Sequence, residues 1–179
     1  MKNLIDLQEE VNKKIDDLKI SNYEPNIIAV SKTFSMEKIK PLIEYGHIHF
    51  GENKVQEAVE KWTNEKEKNP DICLHMIGKL QSNKVKFAVK LFDYIHSVDS
   101  IKLAKKIAEE QDKLNKKVKL FIQVNLNNED QKSGISIGSV NELLERCIEH
   151  KLDVLGLMCL PPIDKPPGAF FLNTASPFL

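Results

Sequence analysis

The stretch Ile27-Ile28-Ala29-Val30-Ser31-Lys32 decides the fold class of this chain. Five apolar or small residues run without polar alternation into a single lysine. Such a run is typical of a strand that is buried on both faces, as in a parallel sheet covered by helices. We therefore predict a strand over residues 27–32 that ends at Lys32.

The position of Lys32 allows two interpretations. In an α/β barrel the carboxyl ends of the strands face the active site. A lysine that is partly desolvated there can lose its proton near neutral pH and attack an aldehyde to form a Schiff base. A strand-end lysine can equally be a solvated loop residue, which is the commoner environment of this side chain. The stretch alone leaves both interpretations open.

Helical and strand patterns alternate strictly along the rest of the chain. A helix with apolar residues every three or four positions is predicted over residues 3–19, before the first strand. Another helix is predicted after each of the first five strands, with Ser35 and then Asp99 or Ser100 as amino-terminal caps. Such alternation is typical of a parallel α/β fold, and six regular units favour a barrel over a doubly wound sheet. The predicted strands cover residues 27–32, 47–53, 74–78, 94–98, 119–126 and 152–160.

The pattern stops after Leu160. Residues 161–168 contain four prolines and a glycine, and they can continue neither a strand nor a helix. Residues 169–179 are short and show no clear period. We predict an incomplete α/β barrel domain over residues 1–162 and an irregular tail over 163–179, because a complete barrel needs two more strand–helix pairs.

The composition is that of a soluble globular protein. The 179 residues are 41% hydrophobic and 29% charged, and Lys+Arg and Asp+Glu both number 26, so the net charge is zero. A dominant nucleic-acid or acidic-membrane partner would require a basic excess, so neither is predicted. The three cysteines form no CxxC, and the first twenty residues contain no apolar segment of signal-peptide or membrane-span type. These features predict a cytoplasmic protein without a disulfide framework.

Polar residues collect where the predicted strands end. In a barrel they would converge on one mouth and form a polar site around Lys32. A nucleotide site has less support, because neither a GxGxxG motif nor a Walker loop follows the first strand. The residues at the predicted strand ends are Lys32, Glu52 with Asn53, Ser82 with Asn83, Asp99 and Asn125.

Three other groups of residues have chemical potential but weaker patterns. His47, His49, His75 and His96 lie in predicted strands without carboxylates at ligand spacing, so hydrogen bonding in the core or pocket wall is favoured over a metal site. Cys73 and Cys159 lie in or beside apolar strands and are interpreted as packing residues. Lys79, Lys84, Lys86 and Lys90 form a basic cluster that either binds an anion or is a solvated helix face.

The strand-end residues belong to longer motifs, which follow one another along the chain. They are Ala29-Val30-Ser31-Lys32-Thr33, His49-Phe50-Gly51-Glu52-Asn53, Gly78-x-Leu80-Gln81-Ser82-Asn83-Lys84, His96-Ser97-Val98-Asp99, Gln123-Val124-Asn125, Lys132-Ser133-Gly134-Ile135 and Gly156-Leu157-Met158. From about residue 5 to residue 162 the chain thereby resembles the pyridoxal phosphate homeostasis protein family (YggS/PROSC-type proteins).

The resemblance implies a fold, a cofactor and two site residues. The fold is an α/β barrel of the alanine-racemase N-terminal type. Pyridoxal 5′-phosphate (PLP) would be held as an internal aldimine on Lys32, with Asn53 near the cofactor. The family is thought to hold, buffer or deliver PLP, and so to affect amino-acid and vitamin B6 balance, without established catalytic turnover. A desolvated strand end inside a barrel mouth agrees with this role for the lysine, because desolvation lowers an amine pKa.

The chain departs from the family in two places. Lys79 stands where the family usually has a histidine, which changes the local charge near the mouth. Residues 163–179 match none of the family's last strands, whose loops grip the phosphate. The expectation is a partial barrel of about six strands, with two open strand edges and weakened PLP retention.

Two alternatives to a non-catalytic PLP-binding protein remain open. One is a PLP-dependent amino-acid racemase or decarboxylase of the same barrel type, although such enzymes need a second domain that supplies a catalytic base. The other is a fragment that keeps the sequence of the fold and binds nothing well. The sequence does not identify a protein partner or an oligomeric state.

Overall fold

The computed structural model describes residues 2–19, 24–126 and 133–161, together with residue 168. Strands and helices alternate along these residues, as the sequence predicts. The strands are β1 Ala29–Val30, β2 His49–Glu52, β3 Cys73–Met76, β4 Tyr94–Val98, β5 Lys119–Val124 and β6 Asp153–Cys159. The helices are α1 Lys2–Asp17, α2 Met36–Glu44, α3 Val55–Lys68, α4 Val85–Leu91, α5 Ile101–Leu114 and α6 Val140–Glu149, and 3-10 turns at Ser82–Lys84 and Ile137–Ser139 precede α4 and α6.

The strands form one parallel sheet in the order β1-β2-β3-β4-β5-β6. Each strand pairs with the next along the chain, which is the arrangement that successive crossover helices produce in a barrel. Within the described residues β1 and β6 each have one strand neighbour, so the sheet is an open, partial barrel. The predicted partial α/β barrel is confirmed.

The hydrophobic core lies between the sheet and its helices. Phe50, Leu74, Ile95 and Ile122 are completely buried on the face of the sheet that the helices cover, which we term the outer face. Phe50 packs against Trp62 of α3, with 4.9 Å between the ring centroids. Because successive residues of a strand point to opposite sides, the residues between these ones lie on the inner face.

The first strand is shorter than the sequence predicts. Residues 27–32 were expected to be extended throughout, and only Ala29 and Val30 meet the criteria for a strand. Among the described strands β1 pairs with β2 alone, so no second ladder extends it. The pairing nevertheless reaches one residue further, because Ser31 N donates to Gly51 O at 2.9 Å.

Two helix boundaries test the predicted caps. Ser100 is the N-cap of α5, and its Oγ accepts a hydrogen bond from Leu103 N at 3.3 Å, as predicted. Ser35 occupies the N-cap position of α2 without a side-chain cap hydrogen bond. Pro41, predicted to kink or shorten α2, lies inside that helix, which continues to Glu44 and is followed by Gly46 at φ +94°.

Two sequence predictions lie largely outside the described residues. They are the start of the Lys132-Ser133-Gly134-Ile135 motif and, apart from residue 168, the irregular tail predicted at 163–179. In the part of the chain that is described, no helix combines the length and hydropathy needed to span a membrane.

Candidate functional site

Lys32 and Asn53 lie at the carboxyl ends of adjacent parallel strands. The register pairs Ala29 with Phe50 and Val30 with Gly51. Phe50 points to the outer face, so alternation places Gly51 and Asn53 on the inner face, with Val30 and Lys32 beside them. The two residues that the resemblance assigns to the cofactor therefore share one face at one end of the sheet.

The environment of Lys32 differs from the expected one. The sequence predicts a partly desolvated lysine, but the side chain is exposed. Desolvation is expected inside a barrel mouth, whereas within the described residues Lys32 follows β1, which pairs with β2 alone. No carboxylate in the described part of the chain pairs with Lys32, so its ammonium group is accessible and free of a salt bridge.

The residue after Lys32 has an unusual backbone conformation. Thr33 has φ +67°, which is the left-handed region. A β-branched residue there is strained, because its Cβ approaches the following carbonyl oxygen. Such strain persists when the surrounding structure fixes the turn, and it is concentrated at functional sites. The turn redirects the chain directly after the candidate lysine.

Glu52 does not contribute to a polar mouth, so this part of the predicted convergence is wrong. Its side chain is completely buried on the outer face, under α3. The Oε1 atom accepts hydrogen bonds from Ser31 Oγ at 2.8 Å, Lys61 Nζ at 2.8 Å and Trp62 Nε1 at 2.9 Å. Strand alternation explains the difference, because Asn53 and Glu52 are consecutive and so point to opposite sides.

The other strand-end residues are positioned in different ways. Ser82 and Asn83 belong to the 3-10 turn before α4, and both are exposed. Asp99 and Asn125 are half-buried beyond β4 and β5. Asn125 N donates to Ile135 O at 2.8 Å, which ties the end of β5 to the loop behind it. The mouth that the sequence predicts is thus built from fewer residues than expected.

Gly78 fixes the backbone of Asn53. A Cβ at Gly78 would lie 2.3 Å from the carbonyl oxygen of Asn53 and 2.7 Å from its Cα. Only glycine permits this close approach of the segments that follow β2 and β3. The glycine of the Gly78-x-Leu80 motif therefore holds the half-buried Asn53 in place.

The inner face carries a continuous chain of three imidazoles. His49 Nδ1 lies 3.0 Å from His75 Nε2, and His75 Nδ1 lies 2.9 Å from His96 Nε2. Aromatic rings stack on both of the deeper imidazoles. Tyr94 stacks on His75 at 4.4 Å and Phe121 stacks on His96 at 4.5 Å. The predicted role of these histidines in hydrogen bonding is confirmed.

Burial keeps the deeper imidazoles neutral at physiological pH. It lowers the pKa of His75 to about 3, with further contributions from His96 and His49, and the pKa of His96 to about 4. A neutral imidazole has one N–H donor and one acceptor nitrogen. His75 therefore donates a hydrogen bond to one neighbouring histidine and accepts one from the other, so both hydrogen bonds between the imidazoles run in the same direction. Among the described residues no group of His, Cys, Asp and Glu has the arrangement of a metal site.

A large open cleft adjoins this inner face. Its volume is about 1100 Å³, and it lies between the segment that leads into β1 and the strand β6. Ile28, Phe121, Met158 and Leu157 supply apolar surface, and His96 supplies a polar group. The cleft has room for an aromatic ligand next to the inner face, with most of its contacts apolar.

These observations define a class of protein. The chain is an open α/β barrel with an accessible lysine at the end of its first strand. The sequence profile of the alanine racemase N-terminal domain matches residues 9–169. The chain belongs to the pyridoxal phosphate homeostasis protein family within this fold class.

Relatives that bear the family's name align with most of this chain. The pyridoxal phosphate homeostasis protein of Pasteurella multocida is 35% identical over 161 residues, which are 89% of this chain and 69% of the relative. The protein of the same name from Escherichia coli is 32% identical over 161 residues, with the same coverage of both chains. The chain thus spans about two thirds of the length of these relatives.

Solved structures give the same result. PipY of Synechococcus elongatus, solved with PLP bound, is 34% identical and superposes with a TM-score of 0.78, covering 92% of this chain and 78% of that one. The PipY structure without PLP gives a TM-score of 0.79. Alanine racemase of Clostridium difficile is 16% identical with a TM-score of 0.64, which shows a shared fold alone.

Proposed function

We propose that this chain binds pyridoxal 5′-phosphate at Lys32 and holds it in the cytoplasm as part of PLP homeostasis, without turning over a substrate. The observation that carries the proposal is the placement of Lys32 and Asn53 side by side at the carboxyl ends of β1 and β2. The PLP-bound structure of PipY, 34% identical to this chain, supports the choice of cofactor.

The residues present fit the chemistry of PLP. Its aldehyde condenses with a primary amine, forming a carbon–nitrogen double bond and releasing water. Lys32 supplies an exposed amine that no carboxylate of the described residues engages. Asn53 supplies a half-buried amide, which can donate and accept hydrogen bonds beside the lysine. The apolar cleft offers a surface for an aromatic ring.

The absence of turnover is part of the proposal. Racemisation of an amino acid on PLP uses a second proton-transfer group in addition to the lysine, on the opposite face of the substrate carbon. Glu52 is the acidic residue that directly precedes Asn53, and it is buried on the outer face. Lys61 and Trp62 already hold it there, which removes it from the candidate site. This arrangement supports a holding role over an enzymatic one.

The proposal is tested by measuring whether PLP becomes attached covalently to Lys32. The protein is incubated with PLP, reduced with borohydride, digested and analysed by mass spectrometry. We expect the label on the peptide that contains Lys32, together with the visible absorbance of amine-bound PLP. Lys32→Ala should lose both signals, whereas Lys38→Ala, which removes an exposed lysine of α2, should keep them. Equal labelling of wild type and Lys32→Ala would refute the proposal.

The weak retention predicted from the sequence and the absence of turnover are measured with the same protein. PLP release is followed during dialysis, beside a longer relative as reference. Turnover is tested by incubating the PLP-loaded protein with L-alanine and measuring D-alanine. We expect no racemisation above that of free PLP. A rate that exceeds it and depends on Lys32 would support the racemase-like alternative.

A further inference from the structure

A second recess lies on the rim of the sheet, between the amino end of α3 and the 3-10 turn before α4. Its volume is about 280 Å³. We term it the rim pocket. Its polar lining consists of the amines and amides of Lys54, Lys79, Lys84, Gln56, Gln81 and Asn53. None of the described residues that line it is acidic.

The rim pocket divides the basic cluster seen in the sequence. Lys79 and Lys84 line the pocket together with Lys54. Lys86 and Lys90 lie outside the pocket and are exposed on α4. Lys54 pairs with Glu57 at 2.6 Å, so its charge is partly offset, and the uncompensated charge of the pocket comes from Lys79 and Lys84. Neither Lys79 nor Lys84 has a carboxylate partner in the described part of the chain.

The start of α3 adds to the positive potential. Lys54 is the N-cap of this helix of 14 residues and makes no side-chain cap hydrogen bond, and Glu57, the acidic residue of the first turn, is paired with Lys54. A sequence selected only for helix stability would have Ser, Thr, Asp or Asn at this position, because a cation opposes the helix dipole there. This local conflict is relieved if an anion occupies the pocket, next to the free N–H groups and the lysines.

We propose that the rim pocket is a binding site for a small phosphate-bearing anion, namely inorganic phosphate or a phosphate monoester. A phosphate group has several strong acceptor oxygens, which match the converging ammonium and amide donors. The recess is too small for a polyanion, and the zero net charge of the chain provides no extended basic surface for one. Lys32 does not line the pocket, although Asn53 does, so the rim pocket adjoins the candidate cofactor site without including its lysine.

The test is a titration of the full chain with inorganic phosphate at constant ionic strength, read as the melting temperature. A ligand that binds only the folded state raises this temperature. We expect a rise in phosphate relative to chloride. The double variant Lys79→Gln/Lys84→Gln should weaken the apparent affinity by at least about tenfold, since it removes two charge-assisted contacts. Lys79→Arg should retain binding, because it keeps the charge.

The matched control is Lys86→Gln/Lys90→Gln, which removes two exposed lysines outside the pocket. It should bind phosphate as the wild type does. Equal losses in the two double variants would show nonspecific surface attraction and overturn the proposal, as would unchanged binding in Lys79→Gln/Lys84→Gln. A normal melting temperature in chloride establishes that each variant folds.

The rim pocket rests on the proposed PLP function only for its neighbourhood, and two further experiments distinguish phosphate binding in the rim pocket from PLP binding at Lys32. Phosphate binding should survive Lys32→Ala. Its loss there would place the anion at Lys32 and overturn the rim pocket while leaving the PLP proposal intact. In the second, PLP is attached covalently to Lys32 by reduction, and phosphate binding is measured again. An affinity equal to that of the unloaded protein supports a rim pocket that binds an anion other than the cofactor. If PLP on Lys32 instead prevents phosphate binding, and Lys79→Gln/Lys84→Gln weakens the retention of PLP, the rim pocket holds the phosphate group of the cofactor.

Discussion

Lys61 Nζ lies 2.8 Å from Glu52 Oε1, and the carboxylate in this ion pair is completely buried. The same ammonium group also donates to Ser31 O at 2.9 Å. Ser31 directly precedes Lys32, and Glu52 directly precedes Asn53. One buried pair on the outer face therefore fixes the strand ends from which both candidate site residues project to the inner face.

Removing the cation of this pair should destabilise the protein strongly. Lys61→Met leaves the Glu52 carboxylate buried without its charge partner, so we expect the free energy of unfolding to fall by about 3–5 kcal/mol. Urea denaturation measures this change. The control is Arg146→Met, which breaks an exposed pair with Glu149 and should cost at most about 1 kcal/mol. Similar losses in the two variants would show that the buried pair has no special role.

The close approach of Gly78 to Asn53 gives a second prediction. Gly78→Ala places a methyl group 2.3 Å from Asn53 O, so the backbone must move. We expect a loss of about 1–3 kcal/mol in the free energy of unfolding, as for other overpacked sites, together with reduced PLP labelling at Lys32. Gly138→Ala is the matched control, because nothing lies within 4 Å of its added methyl group. Wild-type stability and labelling in Gly78→Ala would disprove the positioning role.

The strained turn after Lys32 can be relaxed by substitution. Thr33→Asn replaces a β-branched residue at φ +67° with one that tolerates the left-handed region. Thr33 is exposed, so no packing is lost, and we expect a gain of about 0.5–1 kcal/mol in stability. The shift of the urea midpoint measures it. A loss of stability would mean that the threonine side chain makes a contribution larger than the strain.

Much of the fold was predictable because each element follows a local pattern. The apolar run before Lys32 and the alternation of elements identify a parallel sheet, and Ser100 is the kind of residue that caps a helix. The placement of Lys32 and Asn53 on one face also follows from their positions at consecutive strand ends. These features depend on the periods of strands and helices, which are legible in the sequence.

The parts of the site that were missed depend on contacts across the fold. The sequence places Glu52 at the mouth because it lies at a predicted strand end, next to Asn53. Consecutive side chains of a strand point to opposite faces, so Glu52 points away from the face that carries Asn53. Its partner Lys61 lies in α3, and the packing of α3 on β2 brings the two side chains together. A signal existed for the imidazole chain, since His49, His75 and His96 occur on three successive strands, but their register was needed to align them.

The imidazole chain predicts how stability depends on pH. Burial lowers the pKa of His75 to about 3 and that of His96 to about 4, whereas an unfolded histidine titrates near pH ~6.5. Between these values the unfolded state binds protons that the folded state does not. The contribution of the buried histidines is therefore fully present above pH ~6.5 and is lost as the pH falls toward ~4.

We accordingly expect the free energy of unfolding, measured by urea denaturation between pH ~7.5 and ~5.5, to decrease on acidification. His75→Gln should reduce the slope by up to about 1.4 kcal/mol per pH unit, because one differential proton is removed. Ile95→Val serves as the control, since it trims a fully buried residue and should lower stability by about 0.5–1.5 kcal/mol at every pH without changing the slope. An unaltered slope in His75→Gln would show that this imidazole does not stay neutral through burial in the folded chain.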